Sequence, residues 1–274
     1  MTNPKKNKLY NVMKDIVSKF YYMNKFIRIS DDKFIEDDKE LTQVGEEIFN
    51  EFFKMTDNKI NFFVDICAAP GMYSKILLDK YKDTMGIGIS LPPEKGGVKF
   101  EIDYDNYKIF YKDILEKTYK LELPKKLDFG IASCVSYIDT QDSYALNSEL
   151  ILASSDLILS NLNEKGTFII NLTIKNIYVC YNLIHILSQY FKEYKLWKSL
   201  NVWGTKNTIY FFGYGFRENY ENDLKKYISM IQNRQSEFSN NFIYSEREYK
   251  EIDKRMNEIY KVRINAWLNL ISKN

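Results

Sequence analysis

The run Phe63-Val64-Asp65-Ile66-Cys67-Ala68-Ala69-Pro70-Gly71-Met72-Tyr73-Ser74 passes from an apolar strand, through a turn of small residues, into a helix. Residues 61–66 are a short apolar run that ends in a loop, the pattern of a buried strand. Small side chains in the turn let the backbone approach a ligand closely. N–H groups at the start of the following helix suit a carboxylate. The G-x-G-x-x-G spacing is missing, so an amino-acid-bearing nucleotide fits this turn better than a pyrophosphate does. The bland alternative is an ordinary strand–helix turn that contains a proline.

Outward from this turn, strand and helix patterns alternate. Further strands are expected at 85–90, 107–111, 129–133, 166–172 and 208–216. Helices are expected at 41–53, where Val44, Ile48, Phe49, Phe52 and Phe53 recur at helical spacing, and at 72–82, 146–162 and 178–191. Such alternation predicts an α/β fold with a mostly parallel sheet and helices on both faces. Ligands of such sheets sit beyond the carboxyl ends of the strands, at the topological switch point. From Glu218 onward there is no strand signal. Ile231, Met256, Ile259, Tyr260, Ile264, Trp267 and Leu268 suggest helices packed on the domain or on a partner. The expected organisation is an arm over 1–40, a central domain over 41–217 and a helical extension over 218–274.

A chain of 274 residues with 45% hydrophobic content builds a core without disulfide or metal support. Cys67, Cys134 and Cys180 are odd in number and form no C-x-x-C pair, and His185 is the single histidine. Structural zinc is therefore disfavoured, and reduced thiols in a cytoplasmic protein are expected. The N-terminus lacks a secretory apolar core, and no apolar run reaches the ~20 residues of a membrane span, so no membrane partner is expected.

The net charge is only +2, but its distribution is uneven. Lys5, Lys6, Lys8, Lys14, Lys19, Lys25 and Arg28 face a single acid, Asp15, and are interleaved with Tyr10, Phe20, Tyr21, Tyr22 and Phe26. Such an arm can track a phosphate backbone and stack bases, or it can be a solvated helix whose aromatics pack on the domain. The next stretch is acidic, with Asp31, Asp32, Glu36, Asp37, Asp38 and Glu40. Heavy use of Asn, Lys, Ile and Tyr is consistent with an AT-rich genome, such as that of a virus or parasite.

The string Asp65-Ile66-Cys67-Ala68-Ala69-Pro70-Gly71-Met72-Tyr73-Ser74 resembles motif I of the FtsJ-like RNA ribose methyltransferases, D-L-C/G-A-A-P-G-G-F-S. The match is strong over 63–78 and weaker, but in register, over 40–216. It departs from the motif at Met72, which replaces the second glycine. The resemblance implies a Rossmann-like class I fold, S-adenosyl-L-methionine as cofactor, and transfer to ribose 2′-hydroxyls of RNA, mRNA caps among them. It implies cofactor contacts at Asp65, Cys67, Ala68, Ala69, Pro70, Gly71 and Met72. The second strand lacks the acid that grips ribose in many class I enzymes, so Ser90 at its end or a backbone group serves there. Asp113 after the third strand corresponds to the family's adenine-binding aspartate, with a helix N-cap as the alternative role. Residues 91–97, Leu-Pro-Pro-Glu-Lys-Gly-Gly, read as a lid or as a simple connection.

The family's catalytic set is a Lys-Asp-Lys-Glu tetrad, in which a cation and tuned carboxylates ease deprotonation of the ribose hydroxyl. Strand alignment places Ser133 at the aspartate, Asn171 at the second lysine and Thr208 at the glutamate, with Gly45 or a neighbour at the first lysine. Apolar patterns fix that register. Lys39, Lys175 and Lys206 are the candidate substitutes for the lost cations, and Asp139 and Asp142 for the lost acid, although turn or cap roles suit these two better. Three functions follow. The first is a diverged RNA 2′-O-methyltransferase. The second is a non-catalytic subunit that binds RNA or stabilises a capping or methylating partner, in loose resemblance to the small subunit of poxvirus-type capping enzymes. The third, a class I enzyme with another acceptor, is the weakest, because Ser133-Cys134-Val135-Ser136-Tyr137 is not an N-P-P-Y motif.

Overall fold

A computed structural model describes residues 7–23, 38–56, 59–116, 121–134, 143–202, 204–217, 223–232 and 243–272. Seven strands form one sheet: β1 (Phe62–Ile66), β2 (Met85–Ser90), β3 (Tyr107–Tyr111), β4 (Leu127–Ala132), β5 (Leu162–Thr173), β6 (Phe191–Trp197) and β7 (Thr208–Phe216). Their order is β3-β2-β1-β4-β5-β7-β6. The first five are parallel, and β7 runs antiparallel to both β5 and β6. The order reverses between β1 and β4, so the turn after β1 lies at the switch point. This is the Rossmann-like class I methyltransferase topology that the motif implied.

The helices are α1 (Lys8–Met23), α2 (Asp38–Phe53), α3 (Met72–Lys80), α4 (Ser143–Leu159), α5 (Ile177–Ser188), α6 (Asp223–Gln232) and α7 (Glu246–Ile271). Alternation along the strands divides the core in two, because successive side chains point to opposite faces. Phe62, Val64 and Ile66 of β1 join the larger cluster with α4, α5 and α7. Phe63 joins the smaller cluster, beneath Val44, Ile48, Phe49 and Phe52 of α2 and Leu77 and Leu78 of α3. The central strands are buried on both faces, which is why they read as continuous apolar runs.

The C-terminal helix belongs to this core. Tyr249, Ile252, Met256, Ile259 and Tyr260 of α7 are buried in the larger cluster, and a capping box at Ser245 and Glu248 fixes its start. Leu268 departs from expectation and is exposed, because it points away from the helix stripe of Met256, Ile259, Arg263, Ala266 and Trp267, which stays buried. The side chain of Ile231 lies outside the described residues.

Two further expectations are overturned. The helix expected at 178–191 ends at Ser188, and Phe191 opens β6, an edge strand with a mixed burial pattern that no alternation announces. Cys67 and Cys134 are not reduced thiols but a disulfide, with Cα atoms 5.1 Å apart. They are distant in sequence, yet each follows one of two adjacent parallel strands, and this brings them within bridging distance. Cys180 alone is free, and it is buried.

Candidate functional site

The turn after β1 is held from both sides. The Ala68 N–H donates to the Ile89 carbonyl at 3.1 Å, and the Ala69 N–H donates to Ser90 Oγ at 3.2 Å. Ala69–Pro70 is cis, and Cys67 and Gly71 both adopt positive φ. At Gly71 φ is 110°, and a Cβ there would meet Ile102 Cγ1 at 2.6 Å. Glycine is thus required both by conformation and by contact. Ile102 belongs to a segment that folds back on the turn, tied by the Glu101 N–H to the Pro70 carbonyl at 2.9 Å. Residues 91–97 form a 3-10 turn at Pro93–Lys95, and Lys95 bridges to Glu116 after β3 at 2.8 Å.

Asp65 lies on the α2–α3 face of the sheet and is fully buried. Its Oδ2 accepts from Ser74 Oγ at 2.7 Å, and the same hydroxyl lies 2.7 Å from the Tyr107 hydroxyl. Its Oδ1 has no partner among the described residues. Burial pushes the carboxyl up to about 7, against the opposing pull of its bonds to Ser74. The same burial, with the Asp65 charge beside it, raises the Tyr107 phenol. Asp113 accepts the Leu115 N–H at 3.0 Å. Its local role is therefore to close a turn, not to cap a helix.

The four residues expected at the tetrad positions lie on neighbouring elements toward the α2–α3 layer. Ser133 shares strand parity with Ile131, Asn171 with Ile169, and Thr208 with Tyr210, and these three reference residues face or adjoin the α2–α3 layer. Since Ala132 pairs with Ile170, one further step sets Ser133 beside Asn171. Ser133 Oγ and Asn171 Oδ1 are both buried with no partner among the described residues. Thr208 pairs with Thr173 across β5 and β7. At Gly45 of α2, a Cβ would meet Ile76 Cδ1 at 2.8 Å and the Tyr73 ring at 3.0 Å. Tyr73 thus occupies the space beside the first-lysine position, and its hydroxyl lies 3.3 Å from that of Tyr210.

The candidate substitute cations stand on the same carboxyl edge. Lys175 follows β5 and is exposed. Lys206 precedes β7, and its Nζ lies 4.0 Å from Glu40 Oε2. The side chain of Lys39 and residues Asp139 and Asp142 lie outside the described residues. Sequence reasoning missed Lys198, which is buried after β6 and donates to the carbonyls of Lys206 and Thr208 at 2.8 and 2.9 Å. Burial, with Arg263 and Lys206 nearby, pushes its ammonium down to about 7. The loop it pins is also tied to α2, where Asn201 donates to Glu47 at 2.9 Å, and to α7, where Arg263 donates to the Thr205 carbonyl at 3.3 Å. No periodicity signals a lysine in such a loop.

The basic N-terminal arm is partly committed to the fold. Tyr10 packs its ring 5.7 Å from Tyr260, Met13 is buried, and Asn7 donates to Asp253 and Asn257, both at 2.8 Å. The packing alternative therefore holds for Tyr10. Lys5, Lys6, Lys25, Phe26 and Arg28 lie outside the described residues. No described helix is long and apolar enough to cross a membrane.

A model of the FtsJ-like methyltransferase family matches residues 46–216. Among solved structures, one described as a ribosomal RNA methyltransferase from Plasmodium falciparum is 20% identical at a TM-score of 0.50, covering 64% of this chain and 96% of that one. The N-methyltransferase NodS of Bradyrhizobium japonicum with S-adenosyl-L-homocysteine is 12% identical at 0.47, covering 77% of this chain and 100% of that one. A fibrillarin/Nop5p complex is 13% identical at 0.46, covering 62% and 81%. At these identities the Plasmodium likeness shows the fold alone. A search of curated protein sequences finds no significant match.

Proposed function

We propose, from a chain that belongs to the FtsJ-like methyltransferase family and takes S-adenosyl-L-methionine as its cofactor, that the methyl acceptor is RNA and the accepting group a ribose 2′-hydroxyl. The observation that carries this reading is the convergence of Asp65, Ser133 and Asn171 on one face at the switch point. Each has a buried polar atom without a partner among the described residues. Buried polar groups find partners in finished sites, so these orphaned atoms fit a bound polar ligand.

The cofactor, when bound, supplies an electrophilic methyl group. The residues that would hold it are those of the turn from Cys67 to Met72, with Asp65 behind it and Ser90 and Asp113 on the neighbouring strand ends. The chain's own part in the transfer is to orient the acceptor and ease the release of its proton to water. Asn171 Oδ1 accepts a hydrogen bond from the hydroxyl, and Ser133 Oγ fixes its direction. Lys206 with Glu40 offers a cation–carboxylate pair at the same edge, and Lys175 a second cation, in place of the tetrad's charges.

Methyl transfer from labelled cofactor to capped and uncapped RNA, followed by nuclease mapping of 2′-O-methyl nucleotides, tests the proposal. Turnover that falls at least tenfold in Lys206→Ala or Lys175→Ala supports the relocated cations. Label on a base in place of ribose refutes the acceptor. A second reading is favoured by the Tyr73 ring beside Gly45 and by neutral side chains at the aligned positions. It is a non-catalytic subunit that binds RNA or steadies a capping or methylating partner. Cofactor binding without turnover, together with co-purification of such a partner, supports it.

A further inference from the structure

Edge strand β3 carries a feature that the methyl-transfer site does not use. Its burial falls away after Tyr107, and Lys108, Ile109, Phe110, Tyr111 and Lys112 are all exposed. Phe110 is 41% exposed, a large aromatic in a strand whose neighbours are core. The cause is local. Among its described residues, the connection from β3 to β4 contains no helix; its Ile114, Leu121 and Leu123 pack against the cluster that holds Ile87 and Ile89, and the described residues leave Phe110 exposed.

The chemistry of the uncovered strip is specific. Lys108, Phe110 and Lys112 alternate along the strand and so share one face, about 7 Å from one to the next. By register, Lys108 and Phe110 stand beside Ile87 and Ile89. Met85, 42% exposed, shares the face through its pairing with Phe62. Lys125 extends the strip, its ammonium 5.3 Å from the Phe62 ring. Glu116, whose carboxyl feels Lys112, is taken by Lys95. An apolar ring between two lysines at two-residue spacing is a poor surface for water. It is a good one for an unpaired base flanked by phosphates.

We infer that the Lys108–Phe110–Lys112 face of β3 is a docking strip for single-stranded RNA, with Phe110 stacking one base and the lysines holding the adjacent phosphates. This rests on the reading of RNA as the substrate and adds an anchoring surface beyond the acceptor pocket. The strand ends at Tyr111, and Lys112 just beyond it donates its N–H to the Ser90 carbonyl at 2.8 Å, next to the cofactor edge, so a chain held here leads toward the site.

The test is fluorescence anisotropy with a labelled single-stranded oligoribonucleotide over a salt series, on the full chain. Phe110→Ala is expected to weaken binding roughly 5- to 160-fold, the span of one lost base stack, while Phe110→Trp retains it. Lys108→Ala with Lys112→Ala is expected to flatten the log–log salt slope by about 1.4, two single-strand phosphate contacts. Because these residues are exposed, thermal unfolding midpoints should stay at wild-type values, separating lost contact from lost fold. Unchanged affinity in Phe110→Ala together with an unchanged slope in the double lysine variant would overturn the inference. So would wild-type protein that ignores RNA but self-associates, or holds another protein, through Phe110. RNA held through Phe110 without methyl transfer keeps the strip and removes the enzyme reading. Transfer whose KM ignores Phe110→Ala removes the strip and keeps the enzyme.

Discussion

Replacing Asp65 with asparagine should change the pH dependence of stability in a defined way. The folded carboxyl is pushed up to about 7 by burial, whereas an unfolded aspartate titrates near 4. Below about pH 4 both states are protonated and the full contribution is present. Between about 4 and 7 the unfolded chain releases this proton while the folded chain keeps it. The unfolded state then binds fewer protons, so stability falls as pH rises, and the loss is complete above 7. A shift of about three units at ~1.4 kcal/mol per unit amounts to about 4 kcal/mol. Asparagine keeps an acceptor for Ser74 and does not titrate. It carries a constant offset of about 1–3 kcal/mol for its unpartnered N–H groups. Urea unfolding of the two proteins without cofactor, at steps from pH 4 to 9, gives the difference curve. The wild-type advantage should shrink by about 4 kcal/mol across that range and then level off. Parallel curves would refute the argument, because they would mean that Asp65 ionises in the folded chain as it does in the unfolded one.

Lys198 predicts the opposite slope. Its folded ammonium is pushed down to about 7, so the unfolded state holds more protons from there to about pH 10 and stability rises with pH. Lys198→Met should erase that rise and cost about 1 kcal/mol for each carbonyl bond lost, measured by the same titration. Gly71→Ala puts a methyl against Ile102 at a φ of 110°. It should cost about 1–3 kcal/mol and weaken cofactor binding in calorimetry. The disulfide closes a separation of 67 residues, worth about 4 kcal/mol in the chain-entropy view. Reductant should therefore lower the unfolding midpoint of the wild type and leave that of Cys67→Ser with Cys134→Ser unmoved.

Most of the strands that a reader of the sequence finds are buried on both faces, and such strands write apolar runs such as Phe62–Val64 and Phe168–Ile170; β3, found as well, is the exception, exposed after Tyr107. β6 escaped, since an edge strand of Phe191–Trp197 needs cover on one side only and shows no clean alternation. The site divides in the same way. Asp65 through Gly71 is contiguous, so its turn chemistry is legible from residue types alone, whereas Ser133, Asn171 and Thr208 lie on three separate strands and their relation depends on register.

What the sequence by itself determined is therefore local: which segments extend and where the tight turn falls. Only the tertiary structure decided the rest. It joined Cys67 to Cys134 across two adjacent strands, turned Asp65 under α3 onto Ser74, and seated Tyr73 beside Gly45. It also buried Lys198 between β6 and β7 and left Phe110 bare. Each of these depends on which distant segments the sheet order makes neighbours. A side chain's charge state, partner and exposure are properties of that neighbourhood and not of its place in the chain.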